Sequence, residues 1–245
     1  MKTIATIEAR MSSTRLPGKV LRPILGRPML QWLVERLQRA QTLDGVVVAT
    51  TVNPADDPIA QLAERLGIGC FRGSEEDVLD RVLRTAQAHH ADVIVELTGD
   101  NPLIDPRLVD HVVEIYRARG VDYVSNCMAK TYPLGMNVQV FSTAVLAETA
   151  RSTDDPADHE HVSLYIYEHP ERFSLHNVAS GLAEEWSDVR LTVDTLEDFE
   201  LVSRIVEALH PTQPDFGLPE ILQLLEREPT LRAINAGVAQ KKARE

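Results

Sequence analysis

Short apolar runs of strand character alternate with amphipathic helical stretches along this chain, and no other feature restricts its fold as strongly. Thr3 to Ala9 reads as a strand, and a helix opens near Pro28 with Leu30, Leu33, Val34 and Leu37 at i, i+3, i+4 and i+7. Val46 to Thr50 is apolar without alternation, as in a strand covered on both faces. Asp57-Pro58 supplies a cap and a first helical residue, Ile59, Leu62 and Leu66 share a stripe, and Gly67 stands where that helix stops. Ile68 to Phe71 is again strand-like. Ser74 to Asp77 has the form of a capping box ending in Asp, opening a helix through Val78, Leu79, Val82 and Leu83. Asp92 to Thr98 follows as a strand, Asp105-Pro106 repeats the cap signal ahead of Leu108, Val112 and Ile115, and Val121 to Ser125 completes the series.

This βαβα order predicts an α/β fold: a Rossmann-like, mostly parallel sheet with helices on both faces. The rhythm loosens after Asn126. Met136 to Phe141 alternates like a half-exposed antiparallel strand, residues 142–152 and 157–168 read as helices, Val189 to Asp194 as a strand, and Leu196 to Leu209 as a helix. The expectation is one domain over residues 1–235, with a small antiparallel subregion inserted at about 127–180 and a frayed tail at 236–245.

Charge narrows the function. Lys and Arg number 25 against 37 Asp and Glu, a net −12. Proteins that hold a nucleic-acid backbone neutralise its phosphates with a basic excess, so no nucleic-acid or membrane-surface partner is expected. Any anionic ligand must instead meet a local basic cluster. Cys70 and Cys127 are far apart, the first residues reach Glu8 too soon for a secretory leader, and no apolar run approaches a membrane span. A cytoplasmic location is expected.

One such cluster exists. Glu8 to Lys19 follows the first strand, so it opens at the carboxyl edge of the sheet, where open α/β folds bind ligands. Arg10, Arg15 and Lys19 place three cations in ten residues, and Ser12, Ser13 and Gly18 let backbone N–H groups approach an anion. That composition suits a triphosphate. It is not a Walker A loop, which needs Gly where Ser13 stands and Ser or Thr where Val20 stands. Gly67 to Arg72 only superficially resembles a dinucleotide fingerprint, since it precedes a strand and carries Arg72 where the third Gly belongs.

A second candidate, Thr98-Gly99-Asp100-Asn101-Pro102-Leu103, delivers a carboxylate at a strand's carboxyl end, apt for a Mg²⁺ that takes one or two protein carboxylates and fills its shell from phosphate and water. Asp194 is a candidate second carboxylate, with an N-cap role as the competing reading, and Asp198 reads as helix surface. On one helix the imidazoles of His159 and His161 point about 200° apart and do not share a metal ion; one faces the site and the other is solvated. His89-His90 reads as surface. No nucleophile elbow occurs, which leaves hydrolase chemistry poorly supported.

Ala9 to Lys19 resembles the signature loop of the cytidylyltransferases that make CMP-activated acidic sugars, the 3-deoxy-manno-octulosonate and acylneuraminate enzymes. The chain is more similar to their spore-coat polysaccharide biosynthesis protein F branch, through Phe71 to Arg81, Thr98 to Asp105, Asp122 to Asn126, Glu160-His161-Val162 and Arg190 to Asp194. The resemblance implies a nucleotide-diphosphosugar transferase fold, a CTP substrate, Mg²⁺ as cofactor and a homodimer. It implies Arg10, Lys19 and Asp100 as catalytic residues and nucleotide contacts from Ala9, Arg10, Ser12, Ser13, Arg15, Gly18, Lys19, Thr98 and Gly99. Arg72, Gly73 and Ser74 would lie near the base, and Asp100 with Asp194 would hold the metal. Asn126, Asn137, Gln139, Glu160 and His161 would face a small-molecule acceptor, expected to be an acidic sugar or a phosphorylated compound of surface-polysaccharide synthesis.

The acceptor half departs from the branch. Asn137 and Gln139 stand where Asp and Glu are usual, Glu96 where Arg is usual, and His159 where Arg is usual. Exchanging acids for amides keeps hydrogen bonding and removes charge, which points to a retuned acceptor site. Three alternatives stay open at this level: a glycosyltransferase of the same fold, which would bind nucleotide-sugars and release no pyrophosphate; a nucleotide-binding protein without turnover; and a nucleotidyltransferase for another base.

Overall fold

The computed structural model describes residues 1–240. In chain order the elements are β1 (Thr3–Glu8), β2 (Pro23–Ile24), β3 (Arg27–Pro28), α1 (Met29–Leu37), β4 (Gly45–Thr51), α2 (Asp57–Arg65), β5 (Gly69–Gly73), α3 (Val78–Ala88), β6 (Val93–Thr98), α4 (Pro106–Arg119), β7 (Tyr123–Ser125), β8 (Gln139–Ser142), α5 (Thr143–Ala150), α6 (Pro156–Glu160), α7 (Leu164–Glu168), β9 (Leu175–Asn177), α8 (Leu196–Leu209), α9 (Leu218–Arg227) and α10 (Pro229–Ala233). A seven-stranded sheet runs β5-β4-β1-β6-β8-β7-β9, and β2 and β3 pair as a separate antiparallel ribbon. β1 is parallel to both β4 and β6, and β4 to β5. The alternating α/β order therefore builds the parallel sheet that the sequence predicts. No helix among the described residues is long and apolar enough to cross a membrane.

Strand alternation explains where the core ends and the site begins. Ala5, Ile7, Val93, Val95, Leu97 and Val140 point to one face, beneath α1, α2, α4, α8 and α9. Ile4, Ile94, Tyr123 and Phe141 point to the other, beneath α3, α5 and α7. Continuing that second face toward the carboxyl edge, the alternate positions become Thr6 and Glu8 on β1, Glu96 and Thr98 on β6, and Gln139 on β8. One face of the central sheet thus turns from apolar to polar within a few residues.

Several local expectations are corrected. β8 is antiparallel, as its alternation predicts, and it lies inside the main sheet, between β6 and β7. Residues 157–168 do not form one helix: α6 ends at Glu160 and α7 starts at Leu164, separated by buried Val162 at φ 26°, a conformation that a β-branched residue rarely adopts. Val189 to Asp194 is extended but is not a strand; a single parallel bridge joins Arg190 to Leu134. Asp57 is the first residue of α2 rather than its cap. The cap of α3 is Asp77, whose carboxylate accepts from the Asp80 N–H, while Ser74 Oγ accepts from the Asp77 N–H one turn earlier. Asp198 is wholly buried, not surface.

Candidate active site

The loop after β1 is closed by backbone geometry. Gly18 sits at φ +71°, and its N–H donates to the Met11 carbonyl at 3.0 Å, folding the loop on itself. Asp56 Oδ1 accepts from the Met11 N–H at 2.7 Å and ties the loop to the end of β4. Gly99 is dictated by a close approach: a Cβ there would lie 2.9 Å from the Glu8 carbonyl, which already accepts the Gly99 N–H at 2.8 Å. The carboxyl ends of β1 and β6 are thereby held together, and the loop and Asp100 converge.

Lys19 is the hub of that convergence. Its Nζ donates to Asp100 Oδ2 at 2.9 Å, to the Val193 carbonyl at 2.7 Å and to Asp194 Oδ1 at 3.1 Å. Arg15 reaches Asp194 Oδ2 at 2.9 Å, and Thr98 Oγ1 donates to Asp100 Oδ1 at 2.5 Å. Asp194 is not a helix cap; Thr195 caps α8 in a capping box with Asp198. The same Asp198 carboxylate accepts from the Asp194 and Thr195 N–H groups at 3.0 and 3.1 Å, from Arg190 Nη2 at 3.2 Å and from Asn235 Nδ2 at 2.8 Å. Burial pushes this carboxyl up, but the Arg190, Asn235 and N–H donors outweigh it and hold it below the usual carboxylate range. Asp194 is therefore aimed at Lys19 by a buried ionic support.

Two adjoining cavities open here. The smaller, of about 280 Å³, is lined by Ala9, Arg10, Ser12, Ser13, Arg15, Lys19, Thr98, Gly99 and Asp100, and also by Arg81. Arg81 is a residue that sequence reasoning gave no role. It lies on the buried side of α3, and its Nε has no hydrogen-bond partner. Its only sequence signal is a cation embedded in the apolar stripe of α3. Arg10 lies 3.9 Å from Glu75, which also accepts from Ser12 Oγ at 2.7 Å. The larger cavity, of about 580 Å³, is lined by Glu96, Asn137, Gln139 and Ser163, and shares Glu8, Thr98, Glu160 and His161 with the first. Burial pushes Glu8 up to about 7, against the pull of Arg81, and raises Glu96 well above the carboxylate range, with the charge of Glu8 adding to the effect.

Not every expected residue joins these cavities. Arg72 turns away, donating to the Thr51 and Asn53 carbonyls at 2.8 and 2.9 Å and pairing with Asp57 at 2.6 Å; Gly73 packs against Arg81 and Phe71, and Ser74 lies in the turn ahead of α3. None of the three lines either cavity. Asn126 spends its amide on the backbone, donating to the Met136 carbonyl at 2.7 Å and accepting from the Val138 N–H at 2.8 Å, which fixes the approach to β8. His161 faces the cavities, whereas His159 is not solvated: its ring pairs with Asp77 at 2.9 Å and the Thr153 carbonyl at 3.0 Å.

Asp100 and Asp194 fit a Mg²⁺ ion by donor chemistry. Each presents a hard oxygen, both within 3.1 Å of the same lysine nitrogen, and Mg²⁺ needs no more than one or two protein carboxylates beside phosphate. Among the described residues no group of three or more His, Cys, Asp or Glu is placed to hold a metal ion by itself.

A parallel sheet with a cation-rich loop at its carboxyl edge, facing paired carboxylates, defines an α/β nucleotidyltransferase. A solved cytidylyltransferase from Leptospira borgpetersenii superposes with a TM-score of 0.90 at 30% identity, covering 99% of this chain and 100% of that one. The chain belongs to the cytidylyltransferase family, whose model matches residues 4–242. It is 36% identical over 229 residues to the spore coat polysaccharide biosynthesis protein SpsF of Bacillus subtilis, spanning 91% of this chain and 93% of that protein. CMP:2-keto-3-deoxy-manno-octonic acid synthetase, solved with CTP, shares the fold with a TM-score of 0.62 at 22% identity, covering 85% of this chain and 99% of its own.

Proposed function

We propose that this enzyme transfers the cytidylyl group of CTP to a small hydroxyl-bearing acceptor of surface-polysaccharide synthesis and releases pyrophosphate. The observation that carries the reading is the convergence of Arg10, Arg15, Lys19 and Arg81 on one cavity of a chain whose net charge is −12. The acceptor oxygen forms a bond to the α-phosphorus, the bond from that phosphorus to the β-phosphate oxygen breaks, and pyrophosphate leaves with the electron pair. The acceptor hydroxyl releases its proton to solvent. Arg10 and Lys19 oppose the charge gathering on the phosphate oxygens, and Gly18 and the small residues before it leave room for the phosphate chain. Asp100 and Asp194 would hold Mg²⁺, which supplies charge neutralisation on the triphosphate when bound.

The test is a thermal-shift panel of CTP, UTP, ATP, GTP and dTTP with and without Mg²⁺, followed by pyrophosphate release. A ligand at about 100 times its Kd adds ~2.7 kcal/mol of stability, or roughly 5–10 °C for a domain of this size. A Mg²⁺-dependent shift confined to CTP is expected. No shift with any triphosphate would overturn the reading, and a shift with nucleotide-sugars alone would favour a glycosyltransferase.

A further inference from the structure

The larger cavity contains a pair of acids that the transfer chemistry leaves unused. Glu8 and Glu96 rise from the paired strands β1 and β6 onto the same face of the sheet. Glu8 Oε1 and Glu96 Oε2 are both enclosed, and neither has a donor from the protein; Glu96 is only 4% exposed. The two carboxyl groups face one another across a shared proton, with the Ser163 hydroxyl beside Glu96 and the charges of Arg81 and Arg10 acting on Glu8. Glu160 adds a third acid to the lining, and among the described residues no Lys or Arg lines this cavity. Gln139 Oε1 is already engaged by the Ser163 hydroxyl at 2.7 Å.

A carboxylate entering this space meets three acids, Glu8, Glu96 and Glu160, and no Lys or Arg in the lining, while Arg81 in the adjoining cavity is already drawn to Glu8. A sugar hydroxyl satisfies one orphaned oxygen. A protonated amine brings three donors and a positive charge, satisfies both oxygens, and replaces the shared proton. We propose that the acceptor is an amino sugar whose ammonium group seats between Glu8 and Glu96, in place of the acidic sugar that the sequence leads one to expect. Glu8 lines both cavities, so a sugar held by it lies against the nucleotide. The assignment rests on the cytidylyl-transfer reading only for the identity of the reaction.

The experiment compares glucosamine, glucose and glucuronate, with the galacto and manno series alongside, by calorimetric titration into the full chain with and without CTP and Mg²⁺. In at least one series the amino sugar is expected to bind tenfold or more tightly than its neutral and acidic counterparts. Glu96→Gln, checked for cooperative melting, is expected to remove that preference. Glu8→Gln serves the same purpose if Glu96→Gln does not fold. A uronate that binds as tightly as its amino counterpart overturns the assignment, as does the absence of any amino sugar that outbinds its neutral counterpart. Failure of CTP to shift the melting temperature would instead overturn the transfer reading, and the titrations without nucleotide would still report on the acid pair.

Discussion

Asp198→Ala removes the support beneath Asp194, and the structure sets the size of the effect. Asp198 is fully buried and pairs with Arg190, itself 8% exposed. Breaking a buried ion pair by deleting one partner costs about 3–5 kcal/mol. Arg190 retains Asp194 at 3.3 Å and Gln240 at 2.6 Å, which favours the lower end. Against that, the Asp194 and Thr195 N–H groups and the Asn235 amide all lose an acceptor, at about 1–3 kcal/mol for any that stays buried and unpaired. A total of roughly 4 kcal/mol is a large part of the ~5–15 kcal/mol that holds a typical protein folded. Calorimetry should show a Tm lowered by roughly 8–16 °C. Loss of less than ~1 kcal/mol, the behaviour of a surface position, would refute the buried network. The pH dependence carries a sign. The folded pKa of Asp198 lies below the unfolded value of about 3.9, so its stabilisation is complete above that pH and is lost as pH falls through the folded value. The gap between the wild-type chain and Asp198→Asn should therefore close in acid.

Lys19→Ala should reduce pyrophosphate release by about 10²-fold or more while the chain remains folded; a loss under tenfold would remove Lys19 from the proposed machinery. The Glu8–Glu96 pair has the opposite pH sign to Asp198. Its folded pKa values are raised, Glu8 to about 7 and Glu96 well above the carboxylate range, so its contribution is present below the unfolded value and is lost as pH rises through the folded values. Glu96→Gln should accordingly flatten the fall in Tm between pH 5 and pH 8, and an unchanged slope would show that the pair does not titrate as described. His159 is depressed by its partial burial, but the Asp77 and Thr153 contacts outweigh this and raise it. The Asp77–His159 coupling measured by a double-mutant cycle should thus be larger at pH 6 than at pH 8, and equal values would argue against the pair.

Much of this was legible in residue order. α8 spans the expected Leu196–Leu209, Asp105 caps α4 through the Arg107 N–H at 2.9 Å, and the loop from Arg10 to Lys19 opens at the carboxyl edge of β1 as strand order requires. These features depend on neighbours in sequence. Asp198 reads as surface in sequence because a polar residue in a first helical turn shows no partner there, and Arg190 and Asn235 reach it from elsewhere in the chain. Arg81 is inconspicuous in sequence for the same reason, since its value comes from facing Glu8 and the loop across the sheet. The break at Val162 carries no Gly or Pro to announce it, and tertiary contacts impose it. Val189 to Asp194 has strand composition but makes only an isolated bridge, to Leu134, and a strand assignment requires a ladder.

The reach of Lys19 has a consequence for synthesis. The lysine and Asp194 are 175 residues apart, and a chain emerging at about 5–20 residues per second needs roughly 9–35 s to cover that interval. During that time the basic loop exists without the carboxylate that later anchors it, although β1, β4 and β5 can already pair. The basic edge of the sheet therefore takes shape early, and its charge balance is set only when the segment carrying Asp194, in the last quarter of the polypeptide, folds back across it. A nascent chain halted before Asp194 retains cations that attract phosphates but lacks half of the acidic pair that Lys19 bridges.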